Sequence, residues 1–63
     1  MWRKLEPFKR SLLHKGFTKL PSKKLDNGMW DGGYTCGTEE YHLLAKYEKG
    51  EWYCMVTAHI YLD

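Results

Sequence analysis

Leu5, Phe8, Leu12 and Leu13 recur at i, i+3, i+7 and i+8, the spacing that lays apolar side chains along one face of a helix. Pro7 fits the first turn of such a helix, where its missing N–H leaves nothing unpaired. Gly16 follows as the natural left-handed residue beyond the end, with Phe17 folding back onto Leu12, and His14 and Lys15 suit the negative end of the helix dipole. The pattern therefore predicts a helix from about Leu5 to Lys15. Lys9 falls inside the apolar arc. Its stem is expected to lie over the core while the ammonium reaches water, the alternative being an ion pair with an acid of the sheet.

From Tyr41 the period changes to two. Tyr41, Leu43, Ala45 and Tyr47 alternate with more polar neighbours, and after Lys49-Gly50 the same alternation runs from Trp52 to Leu62, which predicts a long hairpin over about 41–62. An even-numbered loop pairs Tyr47 with Trp52, Ala45 with Cys54, Leu43 with Val56 and Tyr41 with Ala58, so that one face is uniformly apolar; an odd loop mixes the faces. The second face then carries Leu44, Tyr53, Met55 and Tyr61.

Between helix and hairpin the pattern is weaker. Thr18 to Leu25 reads as a loop or short edge segment, Asn27-Gly28 as a type I′ corner, Asp31-Gly32-Gly33 as a second turn or bulge, and Tyr34 to Thr38 as a short strand. The expected fold is a single α+β domain, one N-terminal amphipathic helix packed on a three- or four-stranded antiparallel sheet, with glycine-rich turns over 26–37.

Composition changes this picture in two respects. Sixty-three residues bury little surface, so the core must be rich per residue, and ten aromatics supply that. Charge is divided along the chain: residues 1–25 carry eight basic groups against Glu6, a net +7, whereas residues 26–63 carry two against seven acids, a net −5. Such asymmetry points to an acidic partner for the basic half, protein or nucleic acid, unless the two halves simply neutralise each other. No run approaches the roughly 20 apolar residues of a membrane span and no signal-peptide pattern opens the chain, so a cytoplasmic setting without membrane contact is expected. Cys36 and Cys54 lack metal or redox spacing and are expected as free thiols.

Candidate chemistry is sparse. The stretch DNGMWDGGYTCGT (Asp26 to Thr38) holds four of the six glycines, yet it matches no phosphate-binding loop and no calcium loop, leaving Trp30 and Tyr34 as its candidate recognition side chains. In the even register Glu40 opposes His59 and His42 opposes Thr57, making the two imidazoles diagonal neighbours that would suit a metal or acid–base cleavage of RNA; solvent-facing histidines are the plainer explanation, and no metal or cofactor is called for. LLHKGF followed by EYHLLAKYEKGEW resembles, over less than half the chain, the helix, Gly-aromatic stop and His-bearing strand of HicA-type mRNA-cleaving toxins. That resemblance would place His42 at the catalytic position, although about two dozen residues intervene here and no second helix pattern occurs.

The leading expectation is a small non-enzymatic binding protein, a regulator or inhibitor of the kind phages and mobile elements carry. Tyr53, Met55, Tyr61, Leu44 and Trp30 would form its contact to a protein partner or a second copy. Arg3, Lys4, Arg10, Lys15, Lys19, Lys23 and Lys24 would steer an acidic surface. The alternatives are a nucleic-acid binder using that basic segment and a small RNase using the histidines.

Overall fold

A computed structural model describes residues 1–62. In chain order the elements are β1 (Arg3–Lys4), α1 (Leu5–His14), β2 (Thr18–Lys19), β3 (Lys23–Lys24), β4 (Trp30–Thr35), β5 (Glu39–Glu48) and β6 (Glu51–Tyr61). All strand pairs are antiparallel, in the order β1-β6-β5-β4-β2 with β3 also paired to β4. The α+β architecture is as expected. The sheet has six strands rather than three or four, because β1, β2 and β3 are two residues each and too short to leave a periodic signal.

The helix ends as its sequence requires. Gly16 adopts φ 91°, its N–H donates to the Leu13 carbonyl at 3.1 Å, and the Phe17 N–H donates to the Leu12 carbonyl at 3.0 Å, the paired bonds of a Schellman stop. Leu12 and Phe17 are both buried against Tyr34, Leu43 and Cys54, with Leu5, Phe8, Cys36, Tyr41 and Val56 packed around them. Leu13, placed on the apolar arc by its spacing, is instead 45% exposed.

The β5–β6 hairpin turns on Lys49 and Gly50, whose φ values of 52° and 80° give the paired left-handed conformation of a two-residue loop. Tyr47 faces Trp52, Ala45 faces Cys54 and Leu43 faces Val56, as the pattern predicts. Beyond Leu43 the register changes. A bulge leaves Thr57 without a ladder partner, so His42 faces Ala58, Tyr41 faces His59, Glu40 faces Ile60 and Glu39 faces Tyr61. An extra residue turns every later side chain to the other face. Ala58 and Ile60 therefore join Leu44, Tyr53 and Met55, while His59 and Tyr61 move to the helix side.

The glycine-rich stretch resolves into one turn, a strand and another turn. Asp31-Gly32-Gly33 lies inside β4 rather than at a corner. At Asn27-Gly28 only Gly28 has positive φ, 87°. The Gly28 N–H donates to the Leu25 carbonyl at 3.0 Å, and the Asn27 side chain accepts the Met29 N–H at 3.0 Å. That corner is a three-residue loop with a left-handed glycine, not the type I′ pair expected.

Candidate functional site

The helix divides the sheet into unlike faces. Register places Trp30, Gly32 and Tyr34 of β4, Tyr41, Leu43 and Ala45 of β5, and Trp52, Cys54 and Val56 of β6 on the side that α1 covers. Leu44, Tyr53, Met55, Ala58 and Ile60 occupy the other side, which no helix among the described residues covers. Leu44, Tyr53 and Met55 are half-buried among their neighbours, and Ile60 is 40% exposed. Trp2 lies at the border of this open face with the Lys46 ammonium 4.2 Å above its ring, a cation–π contact.

Three of the five expected contact residues, Leu44, Tyr53 and Met55, thus share the open face. Tyr61 and Trp30 do not: the bulge carries Tyr61 across the sheet, and pairing with Ala45 directs Trp30 to the helix side. Ile60 takes the place on the open face that sequence gave to Tyr61, and only knowledge of the bulge could have found it. Charges on the open face are mixed. Lys4 pairs with Glu51 at 3.5 Å and Lys46 with Glu48 at 3.8 Å, pairs that at this exposure contribute little to stability.

The histidines are not neighbours. His42 bonds Glu40 of its own strand through Nε2 at 2.7 Å on the open face, and its carbonyl accepts the Thr57 hydroxyl at 3.1 Å. His59 lies on the opposite face, stacked on Tyr41 at 4.0 Å between centroids and 13° between planes, with Glu39 2.7 Å from its Nε2. Each imidazole has its own carboxylate, and the sheet separates the pairs, so the two cannot serve one scissile bond as acid and base. No cluster of three metal-ligating side chains occurs among the described residues.

The basic residues, contiguous in sequence, are spread by the fold. Arg3 and Lys4 sit on β1 at one edge of the sheet, and Lys19, Lys23 and Lys24 on β2 and β3 at the other. Arg10 lies on α1 and Lys15 at its stop. The Arg3 guanidinium is 4.9 Å above the Phe8 ring. Lys9 has no carboxylate within ion-pair distance among the described residues and is half-buried, so its stem covers apolar surface without a partner for its charge.

Under the N-terminal half of α1 the sheet is incompletely filled. A cleft of about 330 Å³ opens there, walled by Leu5, Trp30, Leu43, Ala45 and Trp52, with Glu6, Lys9, Lys19, Ser22 and Tyr34 as its polar groups. The Lys19 ammonium is held by the Leu20 carbonyl at 3.3 Å and the Ser22 hydroxyl at 3.4 Å. Sequence singled out Trp30 and Lys19 but missed the cleft, which is assembled from residues that no local pattern links. Among the described residues no helix is long and apolar enough to cross a membrane. Comparison with protein-family models, with curated proteins and with solved structures finds no match.

Proposed function

We propose that this chain is a small binding protein that docks on a protein partner through the open face of its sheet. The observation that carries this reading is the grouping of Leu44, Tyr53, Met55 and Ile60 on a side that α1 leaves uncovered. Aromatic and methionine side chains are enriched at the centres of protein interfaces. Leu44, Tyr53 and Met55 are only half-buried and Ile60 is exposed, so a partner surface laid on this face would remove further apolar area from water. The mixed charges around the patch, Lys4 and Lys46 with Glu40, Glu48 and Glu51, supply a polar rim that fixes register more than affinity.

The test replaces Tyr53 with a photoreactive phenylalanine and, in a second protein, does the same at Tyr47, which is exposed near the hairpin turn on the other face. Expected is one defined protein adduct from position 53, competed by excess unmodified chain and reduced about tenfold by Met55→Ser, as loss of a central contact would give. An adduct of twice the 7.5 kDa chain mass would identify a second copy as the partner. Equal labelling from both positions, or adducts that unmodified chain does not compete, would sink the reading.

A further inference from the structure

The cleft beneath α1 is independent of the open face and carries chemistry of its own. Tyr34 is 3% exposed and lines the cleft, yet its hydroxyl makes no hydrogen bond among the described residues. Buried phenols ordinarily find a partner, because an unmet hydroxyl away from water is unfavourable. No fully enclosed side-chain oxygen or nitrogen among the described residues lacks a partner, so this hydroxyl keeps contact with solvent. Glu6 and Tyr34 both line the opening, and burial and then the Glu6 carboxylate raise the Tyr34 pKa.

Two cations border the same space. Lys9 and Lys19 make no ion pair among the described residues, and the bonds from Lys19 to Leu20 and Ser22 fix its position without neutralising it. Two indoles, Trp30 and Trp52, stand in the wall. The cleft thus offers apolar walls that include two indoles, two ammonium groups against one carboxylate, Glu6, and the phenol of Tyr34. Its volume lies at the lower end of small-molecule sites, apolar with a few convergent polar groups.

We propose that this cleft binds a small aromatic carboxylate whose ring lies between Trp30 and Trp52. Its carboxylate meets the Lys9 and Lys19 ammonium groups, and its ring N–H, where present, meets Glu6 and the Tyr34 hydroxyl. Glu6 sets the orientation, because it repels the acid end and accepts from the ring end.

The probe is indole-3-acetate, titrated into ¹⁵N-labelled full chain with indole-3-acetamide and tryptamine as neutral and cationic comparators. Shifts of the Trp30 and Trp52 indole N–H signals are expected with indole-3-acetate, while the Trp2 signal, on the far side of the sheet, stays fixed. Lys9→Gln with Lys19→Gln should weaken indole-3-acetate roughly tenfold, the loss expected for a charge-assisted contact, and leave the amide unchanged. Tyr34→Phe should weaken both ring ligands. Variants are accepted when their amide spectra retain wild-type dispersion, and Lys49→Gln in the exposed β5–β6 turn serves as the remote charge control. Absence of saturable shifts at Trp30 and Trp52, equal binding of tryptamine, or an unchanged dissociation constant in the double Lys variant each overturns the assignment. Since Lys9, Lys19 and Tyr34 lie away from the open face, failure of their variants to change binding leaves the docking proposal standing, and the reverse holds.

Discussion

Gly33 and Gly32 are neighbours in β4, yet a methyl group should have opposite consequences at the two. A Cβ at Gly33 would sit 2.4 Å from the Tyr41 carbonyl oxygen and 3.3 Å from Leu20 Cδ1, whereas one at Gly32 would meet only Ser22 Cβ at 3.5 Å. The second distance is ordinary van der Waals contact. The first is backbone of the adjacent strand, short of ordinary contact by about 1 Å, and backbone paired in a ladder with strands ~4.8 Å apart cannot yield that distance without splaying.

Separating β4 from β5 by that amount at the centre of the sheet forfeits one or two ladder hydrogen bonds, each about 1 kcal/mol net and more where a buried group is left unpaired. Overpacking strain adds a further ~1–3 kcal/mol. Gly33→Ala should therefore destabilise by roughly 3 kcal/mol, a large fraction of the roughly 3–9 kcal/mol that a chain this short can be expected to have. Gly32→Ala should change stability by less than about 1 kcal/mol, and in the favourable direction, because alanine loses less backbone entropy in a strand than glycine. Urea unfolding followed by tryptophan fluorescence gives both values, and a thermal scan should show Gly33→Ala melting about 12–24 °C lower. A Gly33→Ala protein within about 0.5 kcal/mol of wild type, a shift within the range of ordinary surface substitutions, would refute the reasoning from close approach. Loss of stability at Gly32 as large as at Gly33 would refute it equally, since only one of them abuts backbone.

Cys36 is half-exposed, and hydrogen bonds from Thr38 hold its thiol below the ordinary range, while Cys54 is fully buried with its pKa raised by burial. One thiol should react with an aromatic disulfide at once and the second only on unfolding, and simultaneous reaction of both would contradict this. Alkaline pH should destabilise the fold: Cys54 and Tyr34 have pKa values raised above 9.0 and 10.0, so the unfolded chain loses those protons first. Their stabilisation is whole below pH 9 and declines as pH rises through the folded-state values. The urea midpoint should fall from about pH 9 upward, and Tyr34→Phe should flatten the part of the decline above pH 10; an unchanged slope in that variant would exclude Tyr34 as its source.

How far the sequence revealed this fold depended on how local each determinant is. The helix and its stop were legible because capping involves neighbours along the chain, and Gly16 with Phe17 carries the whole signal. The hairpin register was legible from Tyr47 to Leu43, where both strands keep one alternation. It failed at Thr57, since a bulge has no composition of its own and Ala58, Ile60 and Leu62 continue the apolar alternation that a straight strand would use. Tertiary contacts override that pattern. With the bulge, His59 stacks on Tyr41 and reaches Glu39, and Tyr41 in turn meets Phe8 edge-on at 5.6 Å. The straight register would exchange that arrangement for burial of Ala58 and Ile60. The His42–His59 site vanished with the straight register.

The existence of two unfilled surfaces follows from dimensions. Ten residues of α1 span about 15 Å, whereas the ten residues of β5 extend roughly 33 Å, in keeping with the 36 Å long axis of the molecule. A helix of that length covers less than half of the long strands even on its own side. One end is closed by the His59 ring, stacked on the half-buried Tyr41 at 4.0 Å, and by Tyr61, tilted 39° to His59 at 4.6 Å. At the other end Trp52 meets Tyr47, edge-on at 5.3 Å, while Trp30 faces Ala45 across β4 and β5, and the small Ala45 side chain lies in the cleft wall where a larger one would fill the space. Ala45→Leu therefore separates a packing defect from a binding site. If the cleft is only unfilled core, the added volume should stabilise the fold by about 1 kcal/mol through burial. If it is a ligand site, the same substitution should abolish indole-3-acetate binding while the fold persists, and the two readouts can be taken on one protein.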